Sequence, residues 1–175
     1  MKKKILGILK ILIKELNDKK IRYWLDRSSL LAIKRDQLLS ELSDVDISVD
    51  INDYEKFQSI MKKLFKKRNI YIYKKKILLN KKKYCKYYLS SSNKDINKNE
   101  PALIDFIYRK VKKNFVYSCG INLKRVPLNM IYPYKIINYK SILIYIPTNS
   151  KKYLNYIYGK NWKIRAKFYL RSSRI

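Results

Sequence analysis

The run Leu25-Asp26-Arg27-Ser28-Ser29-Leu30-Leu31-Ala32-Ile33-Lys34-Arg35, followed by Asp44-Val45-Asp46-Ile47, constrains the fold more than any other stretch of this chain. Residues 21–25 read as a short apolar strand that runs into a small-residue turn. The turn opens a helix, and residues 44–51 alternate as a second strand. Successive strand residues point to opposite faces, so Asp44 and Asp46 are expected to project together while Val45 and Ile47 face the other way. Two adjacent carboxylates repel unless a cation lies between them, and an oxygen-only ligand set suits Mg²⁺ or Mn²⁺. An isolated Asp-x-Asp is commonly just surface charge. The order of strand, turn, helix and acid-bearing strand is what points to metal chemistry.

Further along, Phe57, Ile60, Met61, Leu64 and Phe65 recur at helical spacing behind Asp53, which is expected to cap that helix. Residues 70–79 and 84–89 read as strands and residues 90–100 as a polar loop. Residues 102–108 form an apolar strand with one embedded acid, Asp105. An acid in such a run is costly to bury unless it is paired or metal-bound, so Asp105 is either a third ligand, a base, or a strand-edge acid facing water. Short strands are expected at 115–117, 121–126 and 142–146, and a closing helix at 150–158 ended by Gly159. Ser28 or Ser29 can cap the helix after the first strand, whose free N–H groups would form a phosphate cradle.

The N-terminal residues imitate a secretion signal, but Lys10 and Lys14 interrupt the apolar run and no Ala-x-Ala follows. Ile5, Leu9, Leu12, Ile13 and Leu16 instead fall at helical spacing. They predict an amphipathic helix packed on the domain and ending near Asn17-Asp18, with membrane-surface contact as the lesser alternative. No segment is long and apolar enough to span a bilayer. With neither a linker nor a repeat, the 175 residues are expected to form one domain: an N-terminal helix (1–18), a core (21–110) and a C-terminal segment (111–175).

The chain has no His, which removes His-based triads, a His general base and an ordinary structural zinc site. Acid–base work would therefore fall to carboxylates, a metal-bound hydroxide, Lys or Tyr. Cys85 and Cys119 form no Cys-x-x-Cys, and a reduced, cytoplasmic setting is expected. The net charge of +29 invites a nucleic-acid reading. The excess, however, is of Lys, Ile, Asn and Tyr, residues served by AT-rich codons, and the lysines run along the whole chain, so no specific nucleic-acid partner is expected.

Three blocks together resemble the LicD/fukutin-related family of phosphotransferases. The first is Tyr23 to Arg35, similar to the family's Asp-Gly-Gly-Thr-Leu-Leu-Gly-x-x-Arg segment, with Asp44-Val45-Asp46-Ile47 and Asp53-Tyr54-Glu55-Lys56-Phe57 behind it. The second is Leu103-Ile104-Asp105-Phe106-Ile107. The third joins Val126-Pro127-Leu128, Tyr132-Pro133, Ile146-Pro147-Thr148-Asn149 and Tyr158-Gly159-Lys160-Asn161-Trp162. The resemblance implies an α/β (α+β) nucleotidyltransferase-like mixed sheet with packed helices. It also implies transfer of a phospho-alcohol group, such as phosphocholine or ribitol phosphate, from a CDP-linked donor to a glycan hydroxyl with Mg²⁺ or Mn²⁺. Carried over, Asp44 and Asp46 would hold metal and Asp105 would complete the site. Arg35 would face the donor phosphates, and Ser28 and Ser29 would sit at the nucleotide turn. The family's Gly-Gly is Arg27-Ser28 here. A non-catalytic member of the fold acting as a binding or scaffold protein is the alternative, and a basic RNA-binding protein a third.

Overall fold

The computed structural model describes residues 2–36, 39, 44–66, 70–79, 82–90, 103–119 and 125–164. Residues 121–124 of the strand expected at 121–126, and residues 91–100 of the polar loop expected at 90–100, lie outside them. Among the described residues, four α-helices, α1 (Lys2–Asp18), α2 (Arg27–Arg35), α3 (Tyr54–Phe65) and α4 (Ser150–Tyr158), pack around a mixed sheet. Its strands are β1 (Tyr23–Leu25), β2 (Val45–Asp50), β3 (Tyr71–Leu79), β4 (Lys82–Ser90), β5 (Ile104–Lys112), β6 (Phe115–Ser118) and β7 (Val126–Pro127), and β8 (Lys135–Tyr139) pairs with β9 (Ile142–Ile146) as a separate hairpin. The central order is β1-β2-β5-β4-β3, with β6 on the far part of β5. The β2–β5 pair is parallel, whereas β1–β2, β4–β5 and β3–β4 are antiparallel. This is the mixed sheet expected.

The alternation along β2 divides the sheet chemically. Val45, Ile47 and Val49 are fully buried and share a face with Ile104, Phe106 and Tyr108 of β5. On that face α3 seats Phe57 against Phe106, ring centroids 4.8 Å apart, and Tyr54 against Tyr108. Asp46, Ser48 and Asp50 point the other way, alongside Asp105 and Arg109. The expected apolar positions of α1 are all buried, from Ile5 through Leu9, Leu12 and Ile13 to Leu16. At about 1.5–3 kcal/mol for each large side chain, this burial fixes α1 in the core. Its Asn17 donates to the carbonyl of Leu143 on β9, and its Glu15 meets Lys63 of α3 at 2.8 Å.

Three local expectations need correction. Asp44 lies in a bend just before β2 rather than on the strand, because the ladder to β5 begins at Val45, whose N–H donates to Leu103 O at 2.8 Å. Asp53 precedes α3 but its side chain makes no cap bond. Its Oδ2 instead accepts from Arg22 N at 3.0 Å and Arg22 Nε at 2.9 Å. Strand β8 went unforeseen, since the turn joining it to β9 places Lys140 (φ 48°) and Ser141 (φ 62°) in the left-handed region. That is the geometry of a two-residue hairpin turn in which Asn or Gly is the usual signal. The closing helix and its end match the expectation, and Gly159 adopts φ 84°.

Candidate functional site

The site is built at the turn between β1 and α2. Asp26, not Ser28 or Ser29, caps α2. Its backbone is extended (φ −122°, ψ 167°), its Oδ1 accepts from Arg27 N at 2.8 Å, and its carbonyl accepts from Ser29 N and Leu30 N at 3.1 Å. The two serines are turned onto Asp46 instead. Ser28 donates to Asp46 Oδ2 at 2.5 Å, and Ser29 Oγ accepts the Asp46 backbone N–H at 2.7 Å. Asp26 N donates in turn to Asp46 O at 3.1 Å, so the turn and β2 are tied together at the acid-bearing residue.

Arg27 sits at φ 44°. A side chain in that region meets the backbone at a cost of roughly 1–2 kcal/mol.

Asp46 and Asp105 are direct partners in the parallel β2–β5 register and therefore stand side by side on one face. Burial, with the charges of Asp44, Asp26 and Asp105 added, pushes the Asp46 carboxyl from the ordinary 3.8 up to about 7 against the opposing Ser28 hydrogen bond. Burial also raises Asp105. Its Oδ2 accepts from Lys86 Nζ at 3.1 Å, while its Oδ1 lies 2.9 Å from the same ammonium and receives no hydrogen bond among the described residues. Tyr158 stands at the end of α4. Its hydroxyl is raised by burial and by the charges of Asp46 and Asp26. Arg35 lies on the last turn of α2, where its Nε and Nη2 each reach Asp36 Oδ2 at 2.9 Å.

Behind this cluster lies a second one that the sequence did not disclose. Asp26 is fully buried, and each carboxylate oxygen has two donors. Oδ1 takes Arg27 N and the Tyr153 hydroxyl, and Oδ2 takes Ser48 Oγ at 2.5 Å and Arg109 Nη2 at 2.6 Å. Arg109, 3% exposed, completes the circuit by donating from Nε to Ser48 Oγ at 3.0 Å. The Arg109 charge and these hydrogen bonds outweigh burial and hold Asp26 below the ordinary carboxylate range. One signal was available: Asp105 and Arg109 are four apart on a strand, hence on one face.

Hard oxygen donors and mutual repulsion are features a divalent cation would relieve, so the donor chemistry of Asp44 and Asp46 suits one, whereas Asp105 already faces the Lys86 ammonium. Among the described residues, no three His, Cys, Asp or Glu side chains are grouped so as to hold a metal ion. No described helix is long and apolar enough to cross a membrane. Residues 20–149 match the family model described as LicD/FKTN/FKRP, nucleotidyltransferase domain. No curated protein matches the chain.

Proposed function

Because the chain belongs to the LicD/FKTN/FKRP nucleotidyltransferase-domain family, broadly one of glycan-modifying phosphotransferases, we propose that it moves a phospho-alcohol group from a CDP-linked donor to a glycan hydroxyl, with Mg²⁺ or Mn²⁺. The observation that supports this most is the in-register pair Asp46 and Asp105, with Asp46 destabilised as an anion by burial and by neighbouring acids.

Asp44 and Asp46 are the residues that would hold the cation, and Ser28 and Ser29 fix the rotamer and backbone of Asp46 so that its carboxylate is presented rather than free to swing. Such a cation, once bound, supplies positive charge to a donor diphosphate and lowers the pKa of an acceptor oxygen. With no His in the chain, Asp105 would either complete the metal site or receive the acceptor's proton.

A non-catalytic binding role is favoured by one observation, Arg27 at the strained position where the family pattern has glycine. Thermal unfolding separates the two. A ligand that binds only the native state stabilises it by about 2.7 kcal/mol at a hundredfold excess over its Kd. The transferase reading expects a raised Tm with Mg²⁺ or Mn²⁺ plus CDP, absent in Asp46→Asn. No shift in either protein would overturn the donor site and leave the binding role.

A further inference from the structure

We propose that Lys86 is a built-in counter-cation of the acid cluster, a positioning residue that holds Asp105 and competes with a divalent metal for its carboxylate. The inference rests on the metal-binding reading of Asp44 and Asp46 for its consequence, though not for its geometry.

Lysine is abundant in this chain, and most lysines cover the surface. Lys74, Lys75 and Lys76 of β3 are exposed. Lys86, on the paired strand, is different: its side chain is 17% exposed, and its ammonium rests 4.9 Å over the Tyr88 ring as well as on both oxygens of Asp105. A lysine is seldom drawn this far out of water without a partner.

The topology explains how it gets there. Only Tyr88 and Leu89 of β4 pair with β5, opposite Asp105 and Ile104. Lys86 lies two residues from Tyr88 and so shares its face and that of Asp105, at the point where β4 has left the ladder. The gap so opened is filled by the Lys86 side chain reaching back to Asp105. Burial alone would weaken the ammonium, but the charge and hydrogen bond of Asp105 keep it firmly protonated. The Asp105 carboxylate, whose two oxygens lie 2.9 and 3.1 Å from the Lys86 ammonium, is a position two cations contest. At such distances the attraction in a partly buried site is several times that in water.

The test uses the full chain with Mn²⁺ as probe, in wild type, Lys86→Met, Lys86→Arg, Asp105→Asn and the Lys86→Met/Asp105→Asn double variant. Removing the ammonium should raise Mn²⁺ affinity about tenfold or more and lower the Tm in EDTA, with Mn²⁺ restoring it. Lys86→Arg should stay near wild type, because the charge remains. The Tm loss from Lys86→Met should vanish when Asp105 is already Asn, since no anion is then left exposed.

Unchanged or weaker Mn²⁺ binding in a folded Lys86→Met would overturn the competition. A Tm loss of the same size in both backgrounds would overturn the counter-ion itself. If neither wild type nor Lys86→Met binds Mn²⁺ while the Asp105 coupling holds, the competition is overturned together with the metal half of the proposed function, and the counter-ion stands.

Discussion

Asp26 and Asp46 are joined by a backbone hydrogen bond and are both drawn out of water, yet their environments act on them in opposite senses. Asp26 has four donors and a buried guanidinium, and is held as an anion. Asp46 has the Ser28 hydroxyl on its carboxylate and three acids around it, and is pushed up to about 7. Burial penalises charge in both places, and what differs is whether the chain itself supplies the compensation. Where it does, the acid serves the architecture, tying β1, β2, β5, α2 and α4 to one point. At Asp46 it does not, since Lys86 pairs with the neighbouring Asp105, and under the proposed function a bound cation would supply it. The two clusters thus divide labour across one turn.

The largest expected effect breaks the satisfied cluster. Arg109→Met leaves the Asp26 carboxylate buried with no countercharge and should destabilise the fold by roughly 3–5 kcal/mol, as removal of one partner from a buried pair does. Chemical denaturation measures it, and a loss under 1 kcal/mol would mean the Asp26 cluster is not the structural one.

The second effect reads the opposite signs directly. Asp46 has a folded pKa above its unfolded value, so the native state binds the extra proton, and metal-free stability should fall as pH rises from about 4 to about 7. The fall should be on the order of 3 kcal/mol and be absent in Asp46→Asn. Asp26, lowered on folding, contributes in the other direction, and its stabilisation is lost only on acidification through its depressed folded pKa. A stability–pH curve in EDTA for wild type and Asp46→Asn separates the two.

The smallest effect probes the turn that links the clusters. Arg27→Gly relieves φ 44° but adds chain entropy, so a net gain of about 0.5–1 kcal/mol is expected, measured by Tm.

The sequence disclosed one cluster and hid the other for physical reasons. Asp46 stood out as half of the Asp44-x-Asp46 pair and Asp105 as an acid embedded in an apolar strand, and the parallel β2–β5 register sets the two side by side. Helices α1, α3 and α4 were legible from their apolar spacing, and α4 also from the glycine at its end. The Asp26 network was not legible, because it draws partners from β2, β5 and α4 that only the tertiary fold makes neighbours. Arg109 and Lys86 were concealed by abundance, since in a chain with 42 Lys and Arg no single cation calls attention to itself. The turns were concealed by scarcity. With three glycines in the chain, Lys20, Arg27, Lys113, Lys140 and Ser141 take left-handed backbones where Gly or Asn would have announced them.

The central claim, that the uncompensated cluster around Asp46 does the chemistry, is tested most directly by CMP release from a panel of CDP-alcohol donors in the presence of Mg²⁺. Asp46→Asn keeps the side chain's shape and removes its charge. Release should fall by about a hundredfold or more, the scale of losing one key electrostatic group, while the fold is no less stable than wild type. Equal rates of CMP release from wild type and Asp46→Asn would contradict it.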